Sequence, residues 1–140
     1  MIGSHPPIRI KSHILVVDDD DLVRKLVETL LLMKGFSVTL AASGEEALEW
    51  CDSNGQPDLL LTDVQMPGIH GPELYEKLHH QFPKMPVVFM SGYVGKCSDF
   101  KYRPLLNKPF CSRELVSAVN AALLTKRMLG AEVRYISSGE

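Results

Sequence analysis

Short apolar runs alternate with amphipathic stretches along almost the whole chain, and this alternation limits the fold more than any other feature. His13-Ile14-Leu15-Val16-Val17 is a β-branched apolar run that ends at Asp18-Asp19-Asp20-Asp21. Leu22, Val23, Leu26, Val27, Leu30, Leu31 and Met33 then recur at helical spacing, and Gly35 is the expected stop. The later aspartates suit the start of that helix, where the peptide dipoles favour negative charge. Phe36 to Leu40 alternates as a second strand. Ser43-Gly44-Glu45-Glu46 is a capping box, with Ser43 at N-cap and Glu46 at N3. The helix it opens carries Ala47, Leu48 and Trp50 and ends near Asn54-Gly55; Trp50 reads as a packing residue.

After Pro57-Asp58 come three leucines, Leu59, Leu60 and Leu61, followed by Thr62-Asp63. A run that is apolar on both faces is a fully buried strand. Met66-Pro67-Gly68 turns the chain away, and Gly71-Pro72-Glu73 opens a helix with proline in its first turn. That helix runs through Leu74, Tyr75 and Leu78 and stops before Pro83. Pro86-Val87-Val88-Phe89-Met90 is a fourth strand ending at Ser91-Gly92, and Leu105-Leu106-Asn107 is a short fifth. Lys108-Pro109-Phe110 turns the chain into a last amphipathic helix from Glu114 to Met128, with Leu115, Val116, Val119, Leu123 and Leu124 inward.

Strands that alternate with helices in this way form a parallel sheet covered on both faces, with right-handed crossovers. The expected fold is α/β: a flavodoxin-like (βα)5 three-layer sandwich with strand order 2-1-3-4-5. The crossover between the fourth and fifth strands has little room. Gly92, Gly95 and Pro104 fall within it, so its helix, over about Val94 to Tyr102, is expected to be short or irregular. The expected domain is 13–128, preceded by a disordered or vector-derived leader (1–12) and followed by a tail or linker (129–140).

Composition narrows the function classes. The chain has 140 residues, 45% of them hydrophobic, which is enough for one well-formed core. A formal charge of −2 gives no basic excess, so direct nucleic-acid binding is not expected. No apolar run approaches the ~20 residues that span a bilayer, so no membrane contact is expected. Cys51, Cys97 and Cys111 lack metal-ligand spacing. An odd cysteine count without a signal peptide points to a reducing, cytoplasmic setting.

Four polar signals follow apolar strands: Asp18-Asp19, Asp63, Ser91 and Lys108. In the 2-1-3-4-5 order they reach one edge of the sheet, and the first and third strands are neighbours at the topological switch point. Alone, Asp63 reads as a turn cap, Ser91 as a turn residue and Lys108 as a solvated surface group. Together they are harder to explain that way. Three converging carboxylates repel unless a cation compensates, and their hard oxygens suit Mg²⁺, with Mn²⁺ as a substitute. A serine hydroxyl and a lysine ammonium beside them complete a set that can hold a transferred phosphoryl group.

These residues also carry a resemblance. Ile14-Leu15-Val16-Val17-Asp18-Asp19, Leu61-Thr62-Asp63-Val64-Gln65-Met66-Pro67-Gly68, Val88-Phe89-Met90-Ser91-Gly92 and Lys108-Pro109-Phe110 resemble the motifs of receiver domains of two-component response regulators. The resemblance spans about Ser12 to Met128. It implies that Asp63 accepts a phosphoryl group from a histidine kinase or a histidine phosphotransfer domain. It implies that Asp18, Asp19, Asp63 and the backbone carbonyl of Gln65 hold Mg²⁺. Ser91 would be the switch hydroxyl, Lys108 would pair with the acyl phosphate, and the Lys108-Pro109 bond would be cis. Leu105 departs from the pattern, standing where the family usually has an aromatic residue. With the short crossover, this gives the expectation of a monomeric phosphorelay or kinase-attached module.

Asp18-Asp19-Asp20 also fits the D-x-D signature of haloacid-dehalogenase-like phosphatases, with Asp18 as nucleophile and Asp20 as general acid. That family needs a further acidic pair after the lysine, and after Lys108 this chain has only isolated glutamates, Glu114 being the first. A flavin-binding module of the same fold would place a phosphate where four aspartates repel it. A receiver that acts only as an interaction module is the remaining alternative. His70, His79 and His80 read as surface histidines, and nothing activates a thiolate at Cys97 or Cys111.

Overall fold

The computed structural model describes residues 11–92 and 104–129. Its five strands are β1 (His13–Val17), β2 (Ser37–Ala41), β3 (Leu59–Asp63), β4 (Val87–Ser91) and β5 (Leu105–Asn107). They form one parallel sheet in the order β2-β1-β3-β4-β5. The helices are α1 (Asp21–Met33), α2 (Gly44–Asn54), α3 (Gly71–Gln81) and α4 (Ser112–Leu129). The doubly wound fold and its strand order are those expected from the alternation. Cys97 and the Val94–Tyr102 crossover lie outside the described residues, as do most of the leader and the tail.

Each strand sends alternate residues to opposite faces. Leu15, Val17, Leu60 and Phe89 pack with Ala47 of α2 and Leu74 and Leu78 of α3. Ile14, Val16, Leu59, Leu61 and Val88 pack with Val27 and Leu31 of α1 and Leu115 and Val119 of α4. Leu59, Leu60 and Leu61 are fully buried, so β3 is the spine of both layers. Truncating any of them to alanine is expected to cost about 2–5 kcal/mol.

Local chemistry sets where the helices begin. Asp20 caps α1, its carboxylate accepting from the backbone N–H of Leu22 at 2.9 Å and of Val23 at 3.3 Å. Ser43 caps α2 by accepting from Glu46 N at 3.1 Å, while Glu46 accepts from Ala42 N at 2.8 Å. The return bond thus lands one residue before the cap. The last helix starts at Ser112, two residues earlier than its apolar spacing implies, because Glu114 accepts from Cys111 N at 2.9 Å and closes a first turn. Strand β2 runs one residue later than its alternation implies, its last residue Ala41 pairing with Val17. No helix among the described residues is long and apolar enough to cross a membrane.

Candidate functional site

The parallel register carries four strand ends to one edge. Val17 of β1 lies opposite Thr62 of β3, and Asp63 opposite Met90 of β4. Beyond the ladders, Asp18 N donates to Ala41 O at 3.2 Å, Val64 N to Met90 O at 2.8 Å and Lys108 N to Ser91 O at 2.7 Å. The polar residues at the ends of β1, β3, β4 and β5 are therefore gathered by backbone pairing, whatever their side chains do.

Asp18 is fully buried, and both of its carboxylate oxygens are engaged. Oδ1 accepts from Asp20 N at 2.9 Å and Oδ2 from Lys108 Nζ at 2.9 Å. Lys108 Nζ also lies 3.4 Å from Asp63 Oδ1. Carboxylate oxygens of Asp18, Asp19 and Asp63 all lie within 4.8 Å of one another. At an effective dielectric of about 20, two charges that close repel by roughly 3–4 kcal/mol. One lysine cannot offset every pair among three ionised acids.

The imbalance falls on Asp63. Burial, then repulsion from Asp18, pushes its carboxyl up to about 6, with Lys108 pulling the other way and Asp19 adding to the rise. Burial works against the charge on Lys108, yet its bond to Asp18 and the charges of Asp63 and Asp18 hold its pKa above the ordinary lysine value. Asp63 faces an open cavity of about 340 Å³ lined also by Gln65, Ser91, Gly92 and Lys108. Sequence reasoning brought Asp18, Asp19, Asp63, Ser91 and Lys108 to one edge, and that is where they lie. The donor set also fits a hard divalent cation: oxygen ligands, excess negative charge and room for water.

Close backbone packing holds Asp63 in place. Gly71 N donates to Val64 O at 2.9 Å, which folds the β3–α3 loop back onto the strand end. A Cβ on Gly71 would run into the Asp63 carbonyl, so only glycine fits there. Thr62 Oγ1 donates to that same carbonyl at 3.0 Å. The Lys108-Pro109 peptide is cis.

The phosphatase alternative meets two obstacles. Asp18 is sealed and doubly bonded, which is a poor state for a nucleophile, and Asp20 is occupied as the cap of α1. The other candidates have structural roles. His70 is the N-cap of α3, its Nδ1 accepting from Glu73 N at 3.2 Å. In the sequence it reads as a plain surface histidine, because histidine is an uncommon cap. His79 lies against Tyr75 with ring centres 5.3 Å apart, and His80 is exposed. Cys51 is buried, with its thiol pushed up to about 11 by burial and then by Asp52, so it is inert; Cys111 is exposed. Sequence reasoning also missed Arg24, whose guanidinium reaches the Asp18 carbonyl at 2.6 Å. Its position three residues after Asp21 signals a helix ion pair but not this second contact.

Comparison with known proteins agrees with this geometry. Residues 14–120 match the sequence profile of the response regulator receiver domain. The 3',5'-cyclic-nucleotide phosphodiesterase regA of Dictyostelium discoideum is 36% identical over 125 residues, covering 81% of this chain and 15% of that protein. The sensor kinase CckA of Brucella abortus is 35% identical over 117 residues, covering 79% of this chain and 12% of that kinase. The chain thus spans only a small part of these relatives. The crystal structure of the receiver domain of the hybrid histidine kinase CckA superposes with a TM-score of 0.69 at 40% identity, covering 79% of this chain and 98% of that one. With its four strand ends meeting at one acidic crevice, the chain belongs to the response regulator receiver domain family of two-component signalling.

Proposed function

We propose that this domain accepts a phosphoryl group on Asp63 from the phosphohistidine of a histidine kinase or histidine phosphotransfer domain, in a Mg²⁺-dependent reaction. The observation that carries the reading is the position of Asp63. Among the three clustered acids it is the one that lines the open cavity, with Lys108 Nζ at 3.4 Å. A carboxylate oxygen of Asp63 attacks phosphorus, an O–P bond forms and the N–P bond to the donor ring breaks. The ring departs as neutral imidazole because its other nitrogen carries a proton.

The chain's own residues do the positioning. Lys108 places a compact positive charge where the phosphoryl oxygens arrive. Ser91, on the cavity wall, supplies a hydroxyl to one of them. Asp18 and Asp19 with Asp63 and the Gln65 carbonyl would hold Mg²⁺, which supplies charge neutralisation for the transferring group. Mn²⁺ would substitute. The domain is read as a signalling acceptor and not as a turnover enzyme, acting as a monomer in a relay or attached to a kinase. The likeness to the receiver of a hybrid kinase supports the attachment.

The test is intact-mass analysis after incubation with Mg²⁺ and a small acyl-phosphate donor. Wild-type protein should gain one phosphoryl group, and Asp63→Asn should gain none. Equal labelling of the Asn variant would overturn the assignment, and labelling lost only on changing Asp18 would restore the phosphatase reading.

A further inference from the structure

Arg24 is the fourth residue of α1 and points back to the strand end. Its Nη1 donates to the Asp18 carbonyl at 2.6 Å, and its Nη2 bonds the Asp21 carboxylate. The arginine side chain is only 15% exposed, while that of Asp21 is 84% exposed. A solvated pair of this kind contributes little by itself. The bond to Asp18 is different. Just past the end of β1, Asp18 N still pairs across to Ala41 O, while its carbonyl accepts from the Arg24 side chain. A charge-assisted bond from a planar fork fixes the direction of that carbonyl. Because the peptide is planar, fixing the Asp18 carbonyl also fixes the Asp19 N–H and the exit direction of Asp19. Asp18 is already pinned through both carboxylate oxygens, but Asp19 is exposed and takes its direction from the backbone.

We propose that Arg24 is a positioning residue for the cation site. It locks the Asp18–Asp19 peptide so that the Asp19 carboxylate stays within reach of those of Asp18 and Asp63. The inference rests on the reading that these acids hold Mg²⁺. Two physical effects of Arg24 on such a site have opposite signs. Its charge repels a divalent cation, so a pure field effect predicts tighter Mg²⁺ binding when the charge is removed. Its bond to the backbone orders the acids, so the positioning role predicts weaker binding when the guanidinium is removed.

Mg²⁺ titration of the full chain, followed by calorimetry, separates the two. Arg24→Met should weaken Mg²⁺ binding by about tenfold, the low end for partners that orient metal ligands. Arg24→Lys keeps the charge and one donor and should recover part of the loss. Asp21→Asn, which removes only the exposed partner, should bind like wild type. Should Arg24→Met fold poorly, the lysine variant decides by itself: its charge is that of wild type, so any loss of affinity is geometric. Unchanged or tighter binding in Arg24→Met, or wild-type affinity in Arg24→Lys where Arg24→Met is unfolded, would overturn the proposal and leave the metal site standing. Wild-type protein that binds no Mg²⁺, with Asp19→Asn indistinguishable from it, would overturn the metal reading and this inference together.

Discussion

The two ends of the sheet carry polar clusters of similar size but opposite character. At the N-terminal end, the His13 ring bonds the Ser37 hydroxyl through Nδ1 and the Thr39 hydroxyl through Nε2 at 2.7 Å. It stacks on Trp50 with ring centres 5.4 Å apart and planes 14° from parallel, while His13 N donates to Asp58 Oδ2 at 2.7 Å. Hydroxyls can donate or accept, so this ring is satisfied whichever nitrogen carries the proton. At the C-terminal end, three acids cluster while one lysine pairs with two of them, Asp18 and Asp63, and Asp63 faces open space with its carboxyl pushed up to about 6 by burial and Asp18. One end is satisfied by its neighbours. The other is left electrostatically unbalanced, and an unbalanced cluster in a cleft is where a ligand has most to contribute. Local consistency gives way at the end with the reactive geometry and holds at the other.

The strongest test of this contrast pairs one substitution from each end. Asp63→Asn should abolish phosphoryl labelling, whereas His13→Ala should label at close to the wild-type rate. Loss of labelling in a folded His13 variant would show that the two ends are coupled. Next in size is Lys108→Met, which removes the cation 2.9 Å from Asp18 and 3.4 Å from Asp63. Labelling rates followed by mass spectrometry should fall by about 10²-fold, the order seen when one preorganised charge-stabilising donor is removed. A change of less than threefold would remove Lys108 from the site.

Stability should separate the ends by pH. The Asp63 carboxyl holds its proton more tightly in the folded chain, near 6, than in the unfolded chain, near 4. Its contribution therefore favours folding fully below the unfolded value and is lost as pH rises through about 6. In metal-free urea unfolding, wild type should lose on the order of 1–2 kcal/mol relative to Asp63→Asn between pH 4 and 7. Added Mg²⁺ should restore it at pH 7. A difference between the two proteins that stays constant with pH would show that Asp63 is not strained by its neighbours. The smallest expected effect belongs to the satisfied end. His13→Ala should cost about 1 kcal/mol in the same assay, because the freed hydroxyls are half-buried and can turn to water. A cost above about 4 kcal/mol, in the range of a large core truncation, would mean that this cluster anchors β1 and β2 far more firmly than its bonds imply.

Much of the site was legible in the order of residues because strand ends are local events. An apolar run that stops at a charged residue marks its own end, and parallel pairing then brings Asp18, Asp63, Ser91 and Lys108 to one edge. The caps at Asp20 and Ser43 were legible for the same reason, each bonding within three residues of itself. The His13 cluster was not legible. Its partners Ser37, Thr39 and Asp58 lie 24, 26 and 45 residues away, and no local pattern marks them as a group. Arg24 was half legible: helical spacing predicts its pair with Asp21, but its second contact depends on how α1 is docked against β1.

The sequence by itself determined which residues end strands, which faces are apolar and hence which edge collects the acids, because hydrophobic periodicity and backbone pairing need no knowledge of side-chain contacts. Tertiary structure alone decided how the charge is shared: that Asp18 is sealed by Lys108 and Asp20, that Asp63 faces the cavity with a raised pKa, and that Arg24 holds the peptide between Asp18 and Asp19. Coulombic and desolvation energies depend on distances and burial, and two neighbouring aspartates look alike until the chain has folded around them.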